Sequence, residues 1–481
     1  MSAPALRPLV VGVDSDPLTL DTRLTSPTQA YPIAQHICDP LTFRKTNGEV
    51  IPYLAESWSR DTAVVWRITL RRGVKFHNGE PFDAESAKYS LDCIVRPDVF
   101  PKTTVQKRSW LQAIDRVEIV DSHTLRIRTK YPSRSLLSYL SLFGMLPPRA
   151  ARDLGERFGL QPIGTGPYRF GEYVPGSRLV LEANADWWGG RPRNSGITLR
   201  FLPEAATRAA ALEAGEVVWI NNLPPDRVPR IGNNPRLKVN EVMTTRIMYL
   251  YMLGSRAPFN KVQARQAVNH AIDKRAIVAS LLSGHGAVAR SVYSPAILYF
   301  KEQPAYQHDK ERVRRLLGEA GMERGMTLRY MYPSGRFLND KQIGEAIGNM
   351  LVDAGLNIQP EVPEWGVYLR HRAAQYAELF LGAYGTLTLD PDYALNFIFP
   401  SKTSPMKYNN PRVDELMLKG DQALDPAVAR PIYEELQQII WRDAPAACLY
   451  YQPEIHGVSA NLVGNEPRPD EYWLFWNMYL R

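Results

Sequence analysis

Short runs that alternate apolar and polar residues recur from one end of this chain to the other, interleaved with runs of helical period. Val64-Val65-Trp66-Arg67-Ile68-Thr69-Leu70 alternates as a half-buried strand does. Val117–Val120 and Thr124–Arg128 read as a hairpin turned by Asp121-Ser122-His123. Further strands are expected at Leu9–Val13, Leu179–Glu182, Ile197–Phe201, Thr327–Met331, Asn357–Val362 and Leu379–Ala383. Helical periodicity appears at Ile33–Ile37, from an Asp83 cap through Leu91, and at Ala205–Ala214, Val262–Ile277, Asp309–Ala320, Lys341–Ala354 and Pro431–Trp441. Both periods mixed throughout predict α/β lobes. The longest apolar stretch, Leu136–Leu146, carries serines and a glycine and is too short to span a bilayer.

At 481 residues the chain exceeds what one core organises, so several lobes are expected. Its net charge of +8 raises nucleic acid as a partner. The basic residues argue against it: Arg71-Arg72, Arg191 with Arg193, and Arg314-Arg315 are scattered pairs, not a stripe. An anionic ligand or surface fits the charge better. Cys38, Cys93 and Cys448 lie far apart, which speaks against a zinc site and leaves a Cys38–Cys93 disulfide open. The opening residues show no charged stretch followed by an apolar one, leaving a cytosolic protein or a removed export signal as alternatives.

Motifs of catalysis are missing. There is no GxSxG elbow, HExxH helix, phosphate-binding loop or CxxC pair. Gly164-Thr165-Gly166 lacks the third glycine of a dinucleotide fingerprint and runs into Pro167. The eight histidines never pair at helical spacing, so no metal is expected. Asp390 and Asp392 flank Pro391 in what reads as a turn. These observations predict no catalytic residue and no cofactor.

Four stretches in order carry a resemblance. They are Leu54-Ala55-Glu56-Ser57-Trp58 with Trp66 and Leu70-Arg71-Arg72-Gly73-Val74-Lys75-Phe76-His77-Asn78-Gly79-Glu80-Pro81-Phe82; Gly164-Thr165-Gly166-Pro167-Tyr168; Pro258-Phe259-Asn260 through Ala271-Ile272-Asp273-Lys274; and Tyr408-Asn409-Asn410-Pro411 through Leu449-Tyr450-Tyr451. Together they resemble the dipeptide, oligopeptide, nickel and opine class of extracellular solute-binding proteins, family 5. Read physically, Arg72-Gly73-Val74 and Asn78-Gly79-Glu80 are turns, while Trp58, Trp66, Phe76 and Phe82 are core anchors.

The resemblance implies a periplasmic-binding-protein type fold: two lobes around a ligand cleft, with an additional inserted α/β domain (cluster C type). Lobe I would comprise residues 1–32, 162–253 and 455–481, the inserted domain 33–161, and lobe III 254–454, with crossovers near 253 and 454. The ligand would be buried as the lobes close. In the dipeptide relatives an aspartate in the loop matching Tyr384-Gly385-Thr386-Leu387-Thr388-Leu389-Asp390 pairs with the peptide amino group; its place here falls on Leu387. A leucine cannot neutralise a buried ammonium, which counts against free α-amino peptides. The relatives' carboxylate-binding arginine aligns with Ser334, and Arg336 lies two residues on, where its planar fork suits an anion. The nickel-chelate relatives place an aromatic and an arginine near Lys107, Arg108 and Trp110, and a tryptophan where Gly385 stands. Tyr31, in the loop leaving the first lobe, matches another of their pocket residues. Tyr384 and Trp365 add aromatic surface, and Asp390 is read as shaping its loop.

The implied function is capture of a small anionic or amphiphilic organic solute, peptide-like or opine-like, and delivery to ABC importer permease subunits in the inner membrane. The protein would be monomeric, bind no nucleic acid, and be periplasmic or lipid-anchored outside the cell. Alternatives are a metal-chelate carrier, an enzyme or receptor partner on the same scaffold, or a chaperone-like binder.

Overall fold

The computed structural model describes residues 6–17, 19–24, 27–322 and 326–481. The chain divides into two compact units, Met1–Val242 with Glu454–Arg481, and Met243–Pro453. It therefore passes from one to the other twice, within the strands Leu237–Met252 and Ala446–Ser459.

In the first unit, Leu9–Val13 is the parallel neighbour of both Gly196–Phe201 and Trp219–Ile220. Arg178–Ala183 and Tyr168–Val174 extend the sheet antiparallel beyond Gly196–Phe201. Val458 and Gly457 close its other side against Trp219 and Ile220. Leu9, Val11, Val13, Leu199 and Trp219 are fully buried with the carboxyl-terminal Trp473, Phe475 and Trp476, so the chain's two ends share one core. Burial of this apolar surface stabilises the unit by roughly 25 cal/mol for each Å² removed from water.

A second, four-stranded antiparallel sheet runs in the order Ala55–Thr62, Val65–Leu70, Thr124–Thr129, Ile114–Asp121. Along Thr124–Thr129 burial alternates residue by residue, as the sequence pattern requires. The helix Ala84–Val95 beside it begins where expected: Asp83 accepts from Ser86 N at 2.9 Å, and the Ser86 hydroxyl completes a capping box.

The second unit centres on the segment Met243–Met252. Ile247 to Met252 pair antiparallel with Leu379–Tyr384, which runs parallel to Thr327–Met331, itself parallel to Asn357–Glu361. Period-2 alternation sends Met248, Leu250 and Met252 to a core shared with the helix Val262–Ala271. Ile247, Tyr249 and Tyr251 join the opposite core, with residues of the helix Pro426–Asp443.

Several local expectations need correction. The helix expected at Ile33–Ile37 lies earlier, at Pro27–Ala34, and so takes in Tyr31. Val262–Ile277 is not one helix: it breaks at Ile272, and Asp273 caps a short new one at Lys274–Ala276. Trp66 is buried, but Trp58 is only half-buried on its strand and is no core anchor. The three cysteines are buried and free, so Cys38 and Cys93 form no disulfide.

Candidate functional site

Three of the expected residues meet in the first unit. Tyr31, on Pro27–Ala34, and Lys107 and Trp110, on the helix Val105–Trp110, are 0%, 1% and 2% exposed. Thr104 caps the second helix by accepting from Lys107 N, which fixes where its side chains start. The Lys107 ammonium lies 5.3 Å from the Tyr31 ring centroid and donates to the Thr22 carbonyl. Trp110 meets Tyr31 edge-on at 6.5 Å and packs on Phe143 at 6.1 Å. Burial pulls the Lys107 ammonium down to about 7, partly offset by the nearby Asp21 carboxylate. Burial also raises the Tyr31 phenol, whose hydroxyl has no hydrogen-bond partner among the described residues. Arg108 points elsewhere, donating to the Pro101 carbonyl at 2.9 Å.

Two residues of this neighbourhood were not singled out from the sequence. Asp21 accepts from the Arg23 backbone N–H at 2.8 Å and from its guanidinium at 2.8–3.1 Å, forming a fully buried pair. Arg23 also lies 4.0 Å over the Phe100 ring. The Asp-x-Arg spacing in a polar loop was the available signal, since an aspartate readily accepts the N–H two residues on.

The expected residues of the second unit form two groups. Arg336 is half-buried, its guanidinium 5.0 Å from the Phe337 ring and 5.4 Å from Trp365. Trp365 in turn stacks on Tyr368 at 5.1 Å. Asp340, which the sequence did not flag, builds this loop: its carboxylate accepts from Gly335, Arg336 and Phe337 N at 2.8–2.9 Å. Ser334 is exposed on it.

The other group follows the strand Leu379–Tyr384. Tyr384 stacks on Phe397 at 5.4 Å and approaches Tyr393 at 5.9 Å. Thr386 is fastened to the unit's central strand, its N–H donating to Thr245 Oγ1 at 2.8 Å and its carbonyl accepting from the same hydroxyl at 3.0 Å. Gly385 and Leu387 on either side are buried. Asp390 begins a helix rather than sitting in a free turn: it caps Pro391–Ile398, accepting from Asp392 N at 2.9 Å. Arg246, buried on the central strand between Thr245 and Ile247, is a further cation near this loop that the sequence reading passed over.

Close packing accounts for the glycine motif. A side chain at Gly164 would place its Cβ 1.9 Å from the Ile37 carbonyl, and one at Gly166 would come within 2.7 Å of the His36 carbonyl. Gly166 N and Tyr168 N donate to those carbonyls at 2.9 Å, so the turn is stitched to residues 36–37 and cradles no phosphate.

Comparison with known proteins agrees with this architecture. The DppA periplasmic binding protein of Helicobacter pylori, solved with the peptide STSA, matches with a TM-score of 0.90 at 23% identity over 98% of each chain. A dipeptide-binding protein from Pseudoalteromonas sp. SM9913, solved with Met-Leu, also gives 0.90 at 22% identity, over 99% of this chain and all of that one. At such identities the likeness shows the fold. In sequence, the glutathione-binding protein GsiB of Salmonella choleraesuis is 27% identical over 98% of this chain and 94% of its own length. GsiB of Escherichia coli K12 is 26% identical over the same shares. The family model for bacterial extracellular solute-binding proteins, family 5, matches residues 49–405. The chain therefore belongs to the bacterial extracellular solute-binding proteins of family 5.

Proposed function

We propose that this solute-binding protein captures a small, anionic, peptide-like molecule and delivers it to the permease of an ABC importer. The observation that carries this reading is the Tyr31–Lys107–Trp110 cluster: an ammonium and a phenol buried among rings. Such a group receives an anionic oxygen with the Coulomb and hydrogen-bond strength of a desolvated site. Arg336, Trp365, Tyr384 and the Gly385–Thr386–Leu387 segment are proposed as further ligand-binding residues, with Ser334, Arg108 and Asp390 in supporting positions. Leu387, buried and apolar, offers no partner to a ligand ammonium. The similarity to glutathione-binding proteins over almost the whole chain makes glutathione the first probe; it carries two carboxylates for the cationic cluster and one α-ammonium, whose counter-charge would have to come from a position other than 387. Placement outside the cytoplasmic membrane and action as a monomer belong to the same proposal.

Native mass spectrometry of the purified protein, then release of whatever is bound, tests the class of ligand directly. A discrete acidic mass supports the reading. Calorimetry with glutathione, an N-acylated dipeptide and the same dipeptide with a free amine follows. The free amine is expected to bind roughly tenfold or more weakly than its acylated form, because it lacks a counter-charge. Equal binding of the two dipeptides would remove the role given to Leu387.

A further inference from the structure

The first unit contains a hollow of about 450 Å³ that none of the candidate ligand-binding residues lines. Its walls come from residues 73–77 with Gly79, and from Thr165, Arg169, Asn184, Asp186 and Trp188. Val74 and Phe76 are buried beneath, and Trp188 is pinned in place: its indole N–H donates to Asp39 at 2.7 Å, and Arg71 lies 4.5 Å over its ring. The hollow is therefore preformed, held by packing and by hydrogen bonds that a visitor need not make.

Its charge is unbalanced. Lys75 is exposed at the rim and has no carboxylate within ion-pair distance among the described residues. Arg169 is oriented by the His77 carbonyl at 3.1 Å and by Asn184 Oδ1 at 3.1–3.4 Å, yet its side chain remains 43% exposed. Among the described residues, Asp186 is the carboxylate that opposes these two cations; it stands 3.9 Å from Arg169 and is 91% exposed, so water already screens it. The other nearby acids are occupied. Glu80 accepts from Asn78 at 2.6 Å, and Asp39 lies behind the wall with one oxygen engaged by Thr165, Trp187 and Trp188. His77 adds no charge: it bonds the Gly166 carbonyl through Nε2 and accepts from Gly164 N through Nδ1, the partners of a neutral ring, and burial holds it down to about 4.

We propose that this hollow is a docking site for an acidic, solvent-exposed peptide segment of a partner protein, with one carboxylate seated between Arg169 and Lys75 and the chain passing over Trp188. A guanidinium already aimed by two acceptors presents its remaining N–H groups at little entropic cost, while the exposed ammonium adds attraction that salt screens. The site is separate from the cargo cluster around Lys107, so its test does not depend on which solute the protein carries.

The experiment is calorimetry of the intact protein with an acetylated, amidated hexaglutamate peptide and, separately, with citrate, at low ionic strength of about 20 mM. The exposed positions are altered by Lys75→Glu and Asp186→Lys, neither of which touches the core, and melting curves verify that both variants fold. The peptide should bind the native protein, weaken about tenfold with Lys75→Glu and tighten about threefold with Asp186→Lys, while glutathione binding stays the same in both variants. No peptide binding, or binding indifferent to both substitutions, overturns the proposal. Binding of citrate in place of the peptide overturns it too, by assigning the hollow to free small carboxylates. A native protein that takes the peptide but not glutathione bears against the cargo reading alone.

Discussion

Two lysines are buried among the described residues, one in each compact unit, and they live in different surroundings. Lys274, in the second, donates to Asn269 Oδ1 at 3.1 Å and sits 5.4 Å and 6.0 Å from the rings of Tyr306 and Trp441. Every one of these neighbours is neutral and packed in place, and burial brings the ammonium down to about 8. Lys107, in the first, is pulled down further, to about 7, yet it faces the Asp21–Arg23 ion pair and a phenol whose hydroxyl has no hydrogen-bond partner among the described residues. Equal burial thus accompanies unequal completeness. Lys274 is served by a finished set of aromatic and amide partners, whereas the Lys107 cluster keeps hydrogen-bonding capacity in hand at Tyr31. That residual capacity at Tyr31 is what sets the Lys107 cluster, proposed above as a place for a ligand atom, apart from Lys274.

The sharpest way to break this comparison is to remove both charges without removing their bulk. Lys107→Met is expected to weaken glutathione binding roughly a hundredfold, since an anion would then be buried without its cation. Lys274→Met should leave calorimetric affinity unchanged. Equal losses in the two variants would erase the distinction.

Stability should move the other way. Replacing the buried, carboxylate-free ammonium of Lys274 by methionine is expected to leave stability unchanged or to raise it by about 1–3 kcal/mol in urea unfolding. A large loss would mean that the Tyr306 and Trp441 faces hold the cation more strongly than its desolvation costs.

The pH dependence sharpens the contrast further. The Lys274 pKa is lowered in the folded protein, from 10.5 to about 8, so between those values the unfolded chain binds more protons than the folded one. Its contribution to stability therefore rises with pH across that window, with a slope of about one proton, and is absent below it. Lys274→Met should flatten the native-minus-variant difference above pH 10.5 and show that slope between 8 and 10.5. At the acid end His36 is held down to about 4 by burial, so stability should fall as pH drops from 6.5 towards 4 while the unfolded imidazole takes up its proton. Asp39, raised to about 6, works in the opposite direction between 6 and 3.8, and a His36→Asn variant separates the two.

The smallest expected effects are at the caps, one in each unit. Asp83→Ala and Asp390→Ala each remove a side-chain acceptor from a helix start, at a cost of about 1 kcal/mol in thermal or urea unfolding. Asp83→Ala should leave cargo affinity alone. A binding loss in Asp390→Ala well beyond its stability loss would show that its carboxylate does more than cap.

Much of the architecture was legible in order along the chain. Strands such as Val65–Leu70 and Thr327–Met331 and the Asp83 cap were readable because period and capping are local properties of the backbone. The differences in element bounds sit where one local pattern fits two conformations. The break at Ile272 and the helix after Asp390 each start a new helix at an aspartate cap, Asp273 and Asp390, and an aspartate before a polar or proline residue reads equally well as a turn. Candidate residues were legible only as types. Tyr31, Lys107 and Trp110 came from resemblance, and Asp21, Arg23 and Asp340 went unseen because a turn-type spacing such as Asp-x-Arg does not report that its charges will be buried.

By itself the sequence determined the α/β class, most element positions and, through four ordered motifs, membership in a solute-binding family, because each rests on spacing over a few residues. Tertiary structure decided which of those residues share a space. It buried Lys107 against Tyr31, laid Arg336 over two aromatic rings, turned Gly164 and Gly166 into a close backbone contact, and opened a cationic hollow beside residues 73–77. Desolvation and juxtaposition are properties of chain segments brought together from tens to hundreds of residues apart, and no local pattern encodes them.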